Sequence, residues 1–137
     1  GKNYGPHKFI LGAMTADFIA LVATVFIPPL GVMLFGDMLP YMAFVQLALF
    51  VSLGIVLVVF TEKGRVSGKL RGYLFLAGFS AVGFAVFALL HNLILAAFPD
   101  LFTAQTEEPF FFLLATVVCP LAFIVGATGS AARLLEK

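Results

Sequence analysis

One carboxylate lies inside the first long apolar run of this 137-residue chain. Asp17 follows Phe9, where the run starts, by eight residues, which places it roughly 12 Å along a helix at 1.5 Å per residue. An ionised carboxylate in a membrane helix costs about 2.5–3.5 kcal/mol on insertion scales, so such residues commonly face a bundle interior or an aqueous cavity. Three interpretations follow: a proton or ion site, a protonated or hydrogen-bonded structural residue, or a residue that borders water because the helix starts later.

The neighbours of Asp17 on its helix face indicate which way it points. Residues three, four and seven apart share one side of a helix, so Asp17 lies beside Ala13, Ala20 and Thr24. These side chains are small or polar, and we expect this face to look into a bundle. Under the structural interpretation, the candidate hydrogen-bond donors to the carboxylate are Thr15, Thr128 and Ser130.

A second group of polar residues falls at comparable depths in the later apolar runs. It consists of Gln46, His91, Asn92 and Cys119. If the helices bring these residues together, they form a polar cluster that opens outward. The simpler alternative is one interhelical hydrogen bond, such as Asn92 to Gln46.

Three prolines predict helix kinks near this group. Pro28 and Pro29 interrupt the first run, and Pro120 interrupts the last. Proline has no N–H and leaves a carbonyl in the preceding turn without its usual partner. The freed carbonyls could therefore add polar groups to the outward cluster.

The sequence predicts no metal site and no cofactor. A zinc site needs more ligands than one His and one distant Cys. Haem held by two histidines through His91 would need a second chain, because His7 belongs to the other side of the membrane. Cys119 has neither an adjacent base nor an electropositive setting to activate it. No Gly-rich phosphate loop, Ser-His-Asp set or carboxylate pair occurs, so an enzyme is not the expected class.

Four helices must position these residues. The chain is 62% hydrophobic and only 11% charged, which points to lipid as its main solvent. Four apolar runs reach the roughly 20 residues that a membrane helix needs, and none alternates as a barrel strand would. They cover residues 9–35, 38–60, 73–98 and 110–135. The predicted fold is an all-α membrane protein, a single domain over residues 1–137 with four transmembrane helices in an antiparallel bundle.

The distribution of charge predicts the orientation. When four spans are drawn, all eight Lys and Arg residues fall on one side, and the link 99–109 carries only acidic charges. By the positive-inside rule both termini and the loop 61–72 are cytoplasmic. The first run is too long for a signal peptide, so we read it as a retained helix. A net charge of +1 without a basic stripe gives no argument for a nucleic-acid partner.

Small residues predict how the helices pack, because membrane helices associate where their backbones approach closely. The first, third and fourth runs carry small residues four apart, whereas the second offers mainly Ala48 and Ser52. We therefore expect the first, third and fourth helices to form the tightly packed set, and the second to face lipid or another subunit. Residues 10–23 also align with residues 75–88, which indicates either two tandem helical hairpins or a chance match of apolar segments.

Three functional hypotheses result. The first is a small integral membrane protein that acts as a homo-oligomer or as an accessory subunit of a larger membrane assembly, because almost nothing lies outside the lipid. The second is a small proton-coupled transporter or ion-conducting protein that uses Asp17. The third is a haem- or quinone-binding membrane anchor that uses His91. The expected partners are the bilayer and either further copies or other membrane subunits.

Overall fold

The computed structural model of the protein describes residues 3–98 and 109–136. Across these residues the chain is helical and contains no strand. Four helical segments are long and apolar enough to cross a membrane, which confirms the predicted all-α four-helix fold. Most of the acidic connection between the third and fourth spans lies outside the described residues.

The helices are bounded as follows. They are α1 (Gly5–Phe26), α2 (Pro28–Phe35), a 3₁₀ turn (Gly36–Met38), α3 (Leu39–Lys63), α4 (Gly68–Ala97), α5 (Pro109–Leu113), a π-helical turn (Leu114–Val118) and α6 (Cys119–Leu135). The last three elements form one continuous span. The connection between α3 and α4 is therefore only four residues, because α4 begins five residues before the apolar run at Tyr73.

The first apolar run contains two helices separated at Ile27. The backbone there has φ −118° and ψ 82°, outside the helical region. A residue before proline is pushed away from helical angles by the proline ring, and Pro29 has no N–H to continue the helix. The α1 helix consequently ends at Phe26, and Ile27 separates it from the Pro28-Pro29 pair. The chain then continues through α2 into α3.

The fourth span widens into a π turn just before Pro120. The ring of a proline inside a helix meets the carbonyl of the preceding turn, which here belongs to Thr116. A π turn adds one residue and moves that carbonyl aside. The hydroxyl of Thr116 donates a 2.7 Å hydrogen bond to the carbonyl of Phe112 within the same segment.

The spans pack in the order α1, α3, α4, α6, and α1 touches α6 only sparingly. Glycines set two close approaches of other spans to α4. A Cβ atom at Gly54 in α3 would lie 2.9 Å from the carbonyl oxygen of Gly78 in α4. A Cβ atom at Gly126 in α6 would lie 2.6 Å from the amide nitrogen of Ala77, also in α4. Since only hydrogen fits at these positions, backbone meets backbone on two faces of α4.

The expectation that the first, third and fourth spans form the tightly packed set is wrong, because α1 packs against α3 and touches α6 only sparingly. The second span does have the smallest buried share of the four, as expected of the helix that faces lipid. The α3 helix packs against both α1 and α4. Its buried small residue is Gly54, whereas Ala48 and Ser52 are exposed. A single glycine in a bulky segment thus sets the contact, and a search for small residues four apart overlooked it.

Aromatic rings and a surface ion pair complete the packing. Phe18, Phe50 and Phe123 come from three different spans, and their ring centroids lie 4.8–5.9 Å apart. At the end of the bundle that carries the α3–α4 turn, Arg71 forms a 3.0 Å ion pair with Glu62. Both partners of this pair are exposed, so we expect it to add little to stability.

Replacing Gly126 by alanine should destabilise the bundle. The new methyl group would meet the backbone of α4, which cannot move aside alone, so α4 and α6 must separate at a cost of about 1–3 kcal/mol. Gly72→Ala is the matched control, because a Cβ atom there has no neighbour within 4 Å. Thermal unfolding in mild detergent measures both variants. Equal melting temperatures for the two would contradict the close contact.

Candidate functional site

The buried polar residues of α1 lie on its face toward α3. His7, Asp17 and Thr24 are 5%, 9% and 3% exposed. Asp17 and Thr24 are seven residues apart and share one side of the helix, whereas His7 lies about a quarter turn round from them. Two contacts fix the register of this polar face: His7 lies beside Gly64, and Thr24 lies beside Gln46. We call the three residues with Gln46 the α1–α3 polar seam.

The imidazole of His7 closes the seam near the α3–α4 turn. A Cβ atom added at Gly64 would lie 3.4 Å from the Cε1 atom of His7. The rings of His7 and Tyr4 meet edge-on, and their centroids are 5.7 Å apart. Neither ring nitrogen has a hydrogen-bond partner among the described residues. His7 therefore packs as a ring between α1 and the end of α3.

Asp17 occupies the middle of the seam. Along α1 it lies between the two end contacts, ten residues after His7 and seven before Thr24. Its burial, twelve residues inside α1, is inconsistent with a residue that borders water.

One oxygen of this carboxylate has no hydrogen bond. Oδ2 of Asp17 is buried without a partner among the described residues. The hydroxyl of Thr15 donates instead to the carbonyl of Leu11 at 2.8 Å, and the hydroxyl of Ser130 is itself without a partner. Thr15 and Ser130, two of the three expected donors, therefore form no hydrogen bond with this carboxylate. Leaving a buried polar group unsatisfied costs about 1–3 kcal/mol, and more for a charge.

The members of the expected outward cluster take different partners. Oε1 of Gln46 accepts a 3.1 Å hydrogen bond from Thr24 in α1. Nδ2 of Asn92 donates at 3.0 Å to the carbonyl of Ala88 in its own helix, and the side chain is exposed. The ring of His91 lies 5.4 Å from that of Phe112. The pairing of Thr24 with Gln46 escaped the sequence reasoning, which counted Thr24 only as a small neighbour of Asp17.

Cys119 is buried and borders a central cavity of about 370 Å³. All four spans contribute to its wall, in the half of the bundle away from the α3–α4 turn. The lining includes Phe18, Phe50, Phe84, Cys119, Pro120 and Phe123. The space is partly open to the outside of the bundle, so a molecule from the surroundings can enter it.

A second concavity separates α1 from α6. It has a volume of about 840 Å³ and is open to the surroundings. From α1 it is lined by Gly12 and Ala16, which are four residues apart, and from α6 by Thr128 and Ala132 at the same spacing. All four residues are exposed. We refer to this concavity as the α1–α6 groove.

Within the described residues, no group of three His, Cys, Asp or Glu side chains is arranged to hold a metal ion. The described residues instead offer one buried carboxylate, the other polar side chains of the seam, and two largely apolar spaces.

Comparison with known proteins adds no relative: no protein-family model, no curated protein and no solved structure matches the chain. Function must therefore be inferred from the site itself.

Replacing Asp17 by leucine should stabilise the isolated bundle. An apolar side chain removes the unpaired oxygen, which is worth about 1–3 kcal/mol. Thr24→Val is the opposite test on the same seam, because it leaves Gln46 without its donor and should cost about 0.5–1.5 kcal/mol. Unfolding in detergent measures both changes. If Asp17→Leu is destabilising, the carboxylate has a partner and its position in the seam is misread.

Proposed function

We propose that the protein is a subunit of a membrane assembly and that the α1–α6 groove is its assembly surface. The observation that carries this proposal is the open groove itself. Both walls present small residues four apart, the pattern through which membrane helices approach each other closely. The other three neighbouring pairs of spans are packed together, so this is the side on which the bundle is incomplete.

A transmembrane helix of a second copy is the occupant that we propose. The same chain carries both small-residue walls, so two copies can present identical surfaces to each other around a twofold axis. Van der Waals packing drives such association in lipid, because burial of apolar surface gives no advantage there. A helix of a different subunit is the other outcome that the same experiment can detect.

Gly12→Leu should prevent assembly without disturbing the bundle. A Cβ atom at Gly12 has no neighbour within 4 Å, so the leucine projects into the groove and only an incoming helix meets it. We expect a fall of at least tenfold in the oligomeric fraction, measured by native mass spectrometry and by single-molecule photobleaching in liposomes.

Gly72→Leu is the matched control for this test. Gly72 is likewise exposed and likewise has no neighbour within 4 Å, but it lies on α4 outside the groove. It should assemble as the natural chain does. A natural chain that is monomeric and has no co-purifying partner, or a Gly12→Leu variant that assembles normally, would refute the proposal.

A second candidate function, a small proton-coupled carrier, rests on Asp17. A buried carboxylate with an unpaired oxygen is a group that can take up a proton or a cation, and carboxylates inside transmembrane segments commonly serve transport. The seam of His7, Thr24 and Gln46 continues along the same interface toward both ends. This arrangement supports proton uptake at the middle of the α1–α3 interface.

Asp17→Asn tests the carrier directly. The amide keeps the shape and cannot exchange a proton, so a pH-driven flux into proteoliposomes should fall to the level of protein-free vesicles. Thr15→Val is the control, because that hydroxyl bonds within its own helix and leaves the carboxylate unchanged. A flux that survives in Asp17→Asn removes this candidate while leaving the assembly proposal untouched.

A further inference from the structure

The central cavity has a wall that offers almost nothing to a polar ligand. Its two hydroxyl groups are already engaged within their own helices. Ser80 donates to the carbonyl of Ala77 at 2.9 Å, and Thr116 donates to the carbonyl of Phe112 at 2.7 Å. The remainder is aliphatic and aromatic apart from the thiol of Cys119. Water needs two to four polar partners, so a cavity of this kind does not hold ordered water.

The size of the cavity suits a chain rather than a small solute. At about 370 Å³ it is more than twice the roughly 150 Å³ of an engineered apolar cavity that binds benzene. It reaches from the lipid-facing side of α3 to rings at the centre of the bundle. Phe44 at the rim is 72% exposed, whereas Phe123 deep in the wall is 2% exposed.

The cavity opens sideways, onto the outer surface of the bundle. Its rim residues there, Val22 and Phe44, are exposed on the surface of two membrane-spanning segments. What faces such a surface in a bilayer is the hydrocarbon of lipid tails. The occupant that reaches this opening without leaving its own environment is therefore an acyl chain.

We propose that the central cavity is a binding site for one acyl chain of a bilayer phospholipid, which enters laterally past the exposed rim residues Val22 and Phe44. The chain lies against Phe18, Phe50 and Phe84 and covers the thiol of Cys119. Its headgroup stays at the membrane surface, since no charged side chain among the described residues lines the cavity. This site is distinct from the α1–α6 groove and does not depend on the proposed function.

Photo-crosslinking in vesicles tests the site. The protein is reconstituted with phosphatidylcholine that carries a diazirine in one acyl chain, irradiated, digested and mapped by mass spectrometry. We expect adducts on the interior residues Phe84 and Phe123 in addition to lipid-facing residues such as Phe9, which is 76% exposed.

Ala43→Phe should fill the cavity from its rim and lower the adducts at Phe84 and Phe123 at least fivefold while those at Phe9 remain. Ala48→Phe is the matched control, because Ala48 lies on the same helix, is exposed, and does not line the cavity. If Ala43→Phe does not fold, the smaller Ala43→Leu should give an intermediate loss.

Three outcomes overturn the proposal. They are adducts confined to lipid-facing residues, interior adducts that persist in a folded Ala43 variant, and interior adducts formed by a diazirine fatty acid but not by the phospholipid. The last result would assign the cavity to a free single-chain amphiphile.

Discussion

Backbone contact on two faces of α4 is the constraint on which the rest of the bundle depends. Gly54 brings α3 against Gly78, and Gly126 brings α6 against Ala77. In lipid, helices gain nothing from burying apolar side chains against one another, so close approach through small residues must hold them. Two of the other three spans are thereby held against α4, and the positions of the cavity and the groove follow from that arrangement.

The helix that remains, α1, is held mainly through α3, and polar groups lie along that contact. Thr24 and Gln46 pair across it, whereas His7 and Asp17 leave nitrogen and oxygen atoms without partners among the described residues. Because α1 packs mainly against α3, it has few contacts with α6, and the groove lies between α1 and α6. The bundle thus combines a tightly packed side around α4 with a side whose small residues are still available to another helix.

Much of this architecture could be predicted from composition alone, because a lipid solvent admits few solutions for a backbone. Four apolar runs of sufficient length predict four helices, and Pro28 and Pro29 follow shortly after Phe26, where α1 ends. The packing order could not be predicted in the same way. Gly54 is one small residue among bulky neighbours, yet it decides that α3 is central, and the stripe of Gly12 and Ala16 faces an open groove rather than a partner within the chain. The candidate site likewise has one feature that the sequence predicts and one that it does not. The burial of Asp17 was expected from the residues around it, but the pairing of Thr24 with Gln46 depends on the register of two helices, which no single segment encodes. The orientation of the bundle in the membrane stays a prediction from the charges.

The claim that ties these observations together is that another polypeptide completes the bundle at the α1–α6 groove. A photoreactive amino acid placed at Ala16, compared with one placed at Ala48 on the exposed face of α3, tests it in native membranes. The account predicts that irradiation joins the chain to a second polypeptide from Ala16 and only to lipid from Ala48. Lipid adducts alone from both positions would contradict it.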